Sequence, residues 1–74
     1  MEIEVRLFAG LRDGRFKKRT MEVREPARLR DVLADLDIPE EVVGLPLVNG
    51  TYSELSLELS RGDVLSIFPA VGGG

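Results

Sequence analysis

One stretch of the chain has helical periodicity, and alternating stretches lie on both sides of it. In residues 27–38, "ARLRDVLADLDI", apolar residues recur at the i, i+3, i+4, i+7 spacing of one helical face. Before and after this stretch, apolar residues alternate with polar ones, which is the period of a half-buried strand. One helix between pairs of strands predicts an α+β domain with a mixed sheet and the helix packed on one sheet face. The apolar helical positions are Leu29, Val32, Leu33 and Leu36.

Five short segments are predicted as strands. Two precede the helix, in "EIEVRLFA" and "TMEVRE", and two of the three that come after it are "LPLV" and "VLSIF". The third is residues 55–59, where leucines alternate with a serine and a glutamate. Residues 9–19 hold two glycines and many charges, so we expect them to connect the first hairpin. Asn49-Gly50 and Gly62-Asp63 predict tight turns.

Residue types that are missing from the chain exclude several kinds of chemistry. A chain of 74 residues supports one domain. It contains no cysteine and no histidine, which excludes disulfides, thiolate nucleophiles, imidazole acid–base catalysis and the usual zinc sites. We therefore expect no metal site and no bound cofactor. The acidic residues Asp35, Asp37, Glu40 and Glu41 are interpreted as an exposed helix end, because no ligand loop of the calcium-binding type accompanies them.

The charge balance and hydropathy favour a cytoplasmic protein that binds neither nucleic acid nor membranes. The formal net charge is −3, whereas nucleic-acid binders normally present a basic face. The basic run at residues 15–19, "RFKKR", is interpreted as a solvated loop, and "RGD" at 61–63 as a turn. No apolar run approaches the roughly 20 residues of a membrane span, and the acidic start "MEIEVR" does not resemble a signal peptide.

Three segments together resemble a known family. They are "VRLFAGLRD", "LVNGTY" and "LSRGDVLSIFPAVGGG", and they resemble the small subunit of molybdopterin synthase, a sulfur carrier of the ThiS/MoaD family. The resemblance implies a ubiquitin-like β-grasp domain over residues 1–71, with a sheet of four to five strands and one main helix. A flexible glycine tail, residues 72–74, would come after it. Two positions depart from the family pattern, because Ala70 stands where the family usually has a second proline and Gly72 where it often has a small hydroxylated residue.

The resemblance places the reacting group at the last residue, Gly74. It implies that an E1-like adenylating enzyme, using ATP and Mg²⁺, activates the Gly74 carboxylate. A sulfur donor protein would then convert the carboxylate to a thiocarboxylate, which would donate its sulfur in the synthesis of molybdopterin for the molybdenum or tungsten cofactor. Val71, Gly72 and Gly73 would thread the partner's active site, because glycines lack a Cβ and adopt whatever backbone angles an enzyme imposes. The chain itself would not be an enzyme, and the catalytic residues would lie on the large subunit of molybdopterin synthase, in an expected heterotetramer.

Strand parity together with the resemblance predicts a docking patch. Phe8 and Phe68 fall on the sides of the first and last strands that do not carry the core residues. In a β-grasp sheet these two strands are parallel neighbours, which would bring the two rings together on the open face. Tyr52 matches an apolar position that the family adds to this patch, and Pro69 would end strand pairing and aim the tail outward. We therefore predict partner contacts at Phe8, Tyr52, Phe68 and Pro69.

Three other functions remain open. The chain could be the related sulfur carrier of thiazole synthesis, which shares the fold and the terminal glycines. It could be a ubiquitin-like protein modifier that forms isopeptide conjugates through Gly74, since the chemistry of the tail starts in the same way. Finally, it could be an interaction domain without tail chemistry, whose function would survive removal of Gly73 and Gly74.

Overall fold

Within residues 1–70, which the computed structural model describes, five strands form one mixed sheet and one α-helix packs on it. This arrangement is the β-grasp fold, and the predicted fold class is confirmed. Two short 3-10 helices, Ala9–Arg12 and Glu40–Val42, lie in the connections. The main elements in chain order are β1 (Glu2–Leu7), β2 (Lys18–Glu22), α1 (Leu29–Asp35), β3 (Val43–Val48), β4 (Thr51–Tyr52) and β5 (Val64–Pro69).

The sheet has the strand order β2-β1-β5-β3-β4. The first and last strands of the chain are therefore neighbours in its centre, and they run parallel, with Leu7 opposite Ile67. The pairs β1–β2, β5–β3 and β3–β4 are antiparallel. This order confirms the expected parallel pairing of β1 and β5, and it places residues 65–67 of β5 between two other strands.

The core lies between α1 and one face of the sheet. Three alternate residues of β1 point into it and are buried, as the two-residue period predicts. The predicted apolar stripe of α1 covers them, with Leu36 half-buried at its end. Burying such side chains is the main stabilising contribution in a domain of this size. The largest fully buried side chains are Ile3, Val5, Leu7, Leu29, Val32, Leu33, Leu65 and Ile67.

The helix ends earlier than its apolar pattern suggests. After Leu36 the chain turns through Asp37, whose φ is 56°, and the Ile38 amide donates to the Leu33 carbonyl at 2.9 Å. This is the hydrogen-bond pattern of a Schellman motif, which ends a helix with one left-handed residue. Arg15 closes the same end, because its guanidinium donates to the carbonyls of Leu36 at 3.0 Å and Asp37 at 2.9 Å.

The prediction of a strand at residues 55–59 was wrong, because this segment caps the helix. The carbonyls of Leu57 and Leu55 accept from the amides of Leu29 and Arg30, at 3.0 and 2.9 Å. Those amides belong to the first turn of α1 and have no partner inside the helix. The segment forms a turn and one isolated bridge to Arg28, while the fourth strand is the two-residue β4.

The turns and the first connection are close to the predictions. Asn49 and Gly50 join β3 to β4 with φ values of 53° and 84°, which suits the Asn-Gly pair in a two-residue hairpin. β2 begins at Lys18, two residues before the predicted start, and Phe16 in the connection packs partly against the core. Within residues 1–70 we find no helix long and apolar enough to cross a membrane.

Candidate functional site

Phe8 and Phe68 form a stacked pair on the open face of the sheet. Their ring centroids are 4.1 Å apart and the ring planes differ by 12°. The cause is the parallel register: Leu7 and Ile67 are paired and point into the core, so the next residue of each strand points to the other face. The Phe8 amide also donates to the Ile67 carbonyl at 3.2 Å, which continues the ladder by one residue. Both rings are half-buried.

Two leucines of β3 extend this apolar surface across the sheet. Leu45 lies directly opposite Phe68 in the antiparallel β3–β5 pair, and its side chain is 42% exposed. Directly opposite residues share a sheet face and lie about 4.5–5.5 Å apart at Cβ. Leu47, two residues further along β3, points to the same side. Neither leucine was among the predicted site residues.

Tyr52 completes the row at the edge of the sheet. It lies in β4 opposite Leu47, and 60% of its surface is exposed. The structure therefore places Tyr52 on the same face as the ring pair but separates it from Phe68 by the width of β3. We call the row Phe8, Phe68, Leu45, Leu47 and Tyr52 the open-face patch.

Sequence reasoning missed the two leucines because β3 is apolar on both faces. In "LPLV", Pro46 and Val48 are buried, while Leu45 and Leu47 lie on the opposite face. Alternation with polar residues normally reveals which side of a strand faces water, and here that contrast is missing. The available signal was that β3 is apolar on both faces. A domain of this size has one core, so one of these faces must be exposed, which indicates a contact surface.

A basic rim borders the patch next to Phe8. Arg6, Arg12, Lys17 and Lys18 line a depression of about 290 Å³ together with the Phe8 ring. The Arg12 guanidinium lies 5.4 Å from the ring centroid, within cation–π range, and its Nε donates to the Leu7 carbonyl at 2.8 Å. Arg6 is paired with Glu4, with Nε and Oε2 2.5 Å apart. The rim is locally cationic on a chain of net charge −3, so it favours acidic groups on a partner.

The structure corrects the predicted behaviour of Pro69. This residue does not end strand pairing, since it lies inside β5 opposite Val43, and the Ala70 amide donates to the Val42 carbonyl at 2.8 Å. Backbone amides alternate sides along a strand, so the nitrogen of Pro69 faces the β1 side of the sheet. β1 ends at Leu7, before it reaches Pro69. The sheet therefore loses no hydrogen bond because Pro69 lacks an N–H.

The predicted tail lies outside the described residues. This holds for Val71, Gly72, Gly73 and Gly74, and for the predicted domain boundary after residue 71. In residues 1–70 we find no group of three aspartate or glutamate side chains placed to hold a metal ion. The roles assigned to Phe8, Tyr52, Phe68 and Pro69 in partner binding stay predictions, as does the absence of a bound cofactor.

Comparison with solved structures finds several similar chains. A putative molybdopterin converting factor subunit 1 from Pyrococcus furiosus is 30% identical, with a TM-score of 0.78 over 96% of this chain and 99% of that one. A chain of the complex of subunits 1 and 2 of the molybdopterin-converting factor from Helicobacter pylori is 26% identical, with a TM-score of 0.67 and full coverage of both chains. SAMP1 from Haloferax volcanii is 25% identical, with a TM-score of 0.76 and full coverage of both.

Sequence comparison supports the same grouping. No curated protein matches the chain significantly. The model of the ThiS family, in contrast, matches residues 5–74, which is nearly the whole chain and includes the terminal glycines. The match agrees with the β-grasp sheet and with the structural relatives. The chain therefore belongs to the ThiS family of ubiquitin-like proteins.

Proposed function

We propose that the chain is a sulfur carrier for molybdopterin synthesis, with the reactive sulfur carried at the carboxyl group of Gly74. The observation that carries the proposal is the family match through the terminal glycines, combined with structural relatives named as molybdopterin-converting factor subunits. The open-face patch beside the exit of the chain at Ala70 supports it, since a carrier must dock onto a partner while its end reacts.

The proposed chemistry starts with activation of the carboxylate. One Gly74 carboxylate oxygen attacks the α-phosphorus of ATP on an E1-like adenylating enzyme, and pyrophosphate leaves with the electrons of the broken P–O bond. Hydrosulfide from a sulfur donor protein then attacks the carbonyl carbon, a C–S bond forms, and AMP leaves. Activation is required because a free carboxylate has no good leaving group, whereas the mixed anhydride has AMP.

The thiocarboxylate would then deliver sulfur to a precursor held by the large subunit. The catalytic side chains for that step would be on the large subunit, and the pair would assemble as the heterotetramer expected for the family. The relative from Helicobacter pylori is described as a complex of subunits 1 and 2, which supports a partner subunit for this chain. ATP and Mg²⁺ would be bound by the adenylating enzyme, and this chain would bind no cofactor of its own.

A protein-modifier function is the second candidate, and one observation favours it. The structures similar to this chain include SAMP1 from Haloferax volcanii, 25% identical with full coverage of both chains, and H. volcanii small archaeal modifier protein 1. A modifier would use the same adenylate but transfer the Gly74 carbonyl to a lysine amine of another protein. A carrier of sulfur for thiazole synthesis is a third candidate, because it would form the same thiocarboxylate and differ only in the acceptor.

Intact mass separates these functions. The untagged protein is incubated with its adenylating enzyme, ATP, Mg²⁺ and sulfide, and a gain of about 16 Da marks exchange of one carboxylate oxygen for sulfur. Isopeptide adducts on other proteins, without that gain, would favour the modifier. An unchanged mass and no adducts would refute both.

Two variants and two acceptors complete the experiment. Gly74→Ala should block adenylation or transfer without changing the fold, because the added Cβ affects only the end that enters the partner. If the Gly74→Ala variant supported cofactor synthesis at the wild-type rate, the proposal would be contradicted. Supplying the thiocarboxylated protein separately to the molybdopterin precursor with its large subunit and to a thiazole synthase then shows which acceptor takes the sulfur.

A further inference from the structure

A β-bulge interrupts β3 beside the last two residues of β5. Leu45 is paired with Phe68, but Val43 is paired with Pro69, so Gly44 has no partner across the ladder. One extra residue in one strand bends that strand and increases the local twist of the pair. The bulge therefore bends β3 where it pairs with the last two residues of β5.

Gly44 lies in unusually close contact with the backbone of β5 and of the residue after it. A Cβ at position 44 would lie 2.5 Å from the Ala70 Cα, 2.7 Å from the Pro69 carbonyl oxygen and 2.8 Å from the Ala70 nitrogen. Its φ is outside the left-handed region, so conformational freedom does not explain the glycine. The reason is the close approach of a second backbone, which a side chain would prevent.

Beside this contact, a backbone hydrogen bond holds Ala70. Its amide donates to the carbonyl of Val42, the last residue of the second 3-10 helix, at 2.8 Å. The Val42 carbonyl thus holds Ala70 through a hydrogen bond, and the absence of a side chain at Gly44 lets the two backbones lie this close together. We call this arrangement of Val42, Gly44 and Ala70 the exit clamp.

We infer that the exit clamp positions the C-terminal tail for reaction in the partner's active site, with Gly44 as its positioning residue. The inference rests on the proposed carrier function. Phe68, a predicted docking residue, lies only two residues before Ala70, so the patch and the clamp meet at the same end of β5. Gly74, the proposed reacting residue, is four residues after Ala70, and an extended chain of that length spans at most about 14 Å.

The physical reason is that the reacting carboxylate must be placed accurately while the patch is docked. A misplacement of about 1 Å at a reacting group can lower a rate by roughly 100-fold. A short tail offers little length to absorb a shift of its starting point. The clamp therefore affects the step that occurs after docking, while the open-face patch governs docking itself.

Gly44→Ala tests the clamp, and Gly10→Ala is its matched control. A Cβ at Gly10 would meet only the Asp13 Oδ2, at 3.9 Å, so this substitution adds the same methyl group without a clash. Pyrophosphate exchange by the adenylating enzyme gives kcat and KM for each variant. The assay is run well below the unfolding temperature of that variant. Hydrogen exchange at the Ala70 amide reports on the clamp directly.

For Gly44→Ala we expect kcat to fall roughly 10- to 100-fold while KM stays within about twofold of the wild type. The Ala70 amide should exchange faster, and Gly10→Ala should match the wild type in both measurements. A purely structural role would lower stability and leave kcat of the folded protein unchanged. Wild-type kcat with a deprotected Ala70 amide would overturn the inference.

A second variant decides the matter if Gly44→Ala does not fold. Inserting one glycine between Ala70 and Val71 keeps the clamp but lengthens the chain beyond it, so kcat should fall here too. An insertion variant with wild-type kcat would overturn the inference. If the wild type itself supports no pyrophosphate exchange, the proposed function fails, and protection of the Ala70 amide in wild type and Gly44→Ala still shows whether the clamp exists.

Discussion

The rings of Phe8 and Phe68 stack with their centroids 4.1 Å apart although the two residues are 60 positions apart in the chain. The parallel pairing of β1 and β5 brings them together, and the core requires only that the preceding residues, Leu7 and Ile67, point inward. The ring pair is therefore a surface feature whose position is fixed by core packing. Both rings are half-buried, so part of their surface remains available to a partner.

Replacing either ring by alanine should weaken partner binding more than it weakens the fold. Phe68→Ala and Phe8→Ala should each lower affinity for the large subunit by roughly 10- to 100-fold, as truncation of a central aromatic contact commonly does. The coupling free energy between the rings should be about 0.5–1.5 kcal/mol in unfolding experiments on both single variants and the double variant. Calorimetric titration measures the affinities.

Leu57→Ala is the control for the ring variants. Leu57 is 41% exposed but lies in the segment that caps α1, outside the open-face patch. Its truncation should leave partner affinity unchanged. Equal losses for Leu57→Ala and Phe68→Ala would mean that the patch has no special part in docking.

Along the open-face patch, we expect the effect of truncation to fall with distance from the ring pair. Leu45→Ala should weaken partner binding more than Tyr52→Ala, because Leu45 is adjacent to Phe68 and Tyr52 lies at the sheet edge. Both variants should change the unfolding free energy by less than about 1 kcal/mol, since both side chains are exposed. The reverse order of affinities would place the centre of the interface at β4.

Arg15→Ala should destabilise the fold. The guanidinium donates to three backbone carbonyls, those of Leu36, Asp37 and Leu11, and its positive charge lies at the C-terminal end of α1. Its loss should lower the free energy of unfolding by about 1–3 kcal/mol, measured in urea. Arg15→Lys should recover only part of this, because an ammonium group cannot reproduce the fork of donors.

Arg61→Ala provides the comparison for Arg15. Arg61 is exposed in the turn before β5, so its removal deletes a similar side chain and the same charge. We expect a change within about 0.5 kcal/mol. If the two variants lose stability equally, net charge rather than the contacts of Arg15 explains the effect.

Stability should depend on both the side chain and the backbone conformation of Asn49. Its Oδ1 accepts from the Val64 amide and its Nδ2 donates to Asp63, each at 2.9 Å, while its φ is 53°. Both substitutions remove these side-chain hydrogen bonds, but Asn49→Ala keeps a Cβ in the left-handed region, whereas Asn49→Gly removes it. Asn49→Ala should therefore be less stable than Asn49→Gly by about 1–2 kcal/mol.

Thermal unfolding can resolve this difference. In a domain of this size, 1 kcal/mol corresponds to roughly 4–8 °C in Tm. Equal Tm values for the two variants would show that the hydrogen bonds, and not the backbone angle, select asparagine at position 49.

Much of the architecture could be predicted because it depends on local periodicity. The alternation in β1 and β5 and the stripe on α1 identify the core side of each element, and burial confirms them. The Asn49-Gly50 turn reflects the backbone preferences of two adjacent residues. The same parity placed Phe8 and Phe68 on the open face, although their contact also required the strand order of the resembled family.

Other parts could not be predicted because their cause is a distant segment. Residues 55–59 have the pattern of a strand, yet the unpaired amides of α1 take their carbonyls. Leu45 and Leu47 joined the patch only when pairing with β5 and β4 showed which face of β3 is outside. Pro69 was expected to end the pairing, but it stands where β1 has already stopped and no amide donor is required.

The sequence by itself determined the helix, the strands with one polar face, the turns and the family, since each depends on residue types at short spacing. Tertiary structure decided how Gly44 contacts Ala70, how Arg15 closes α1 and which leucines extend the patch. These features depend on which segments meet in space, and packing of the whole core, rather than any local preference, sets that arrangement.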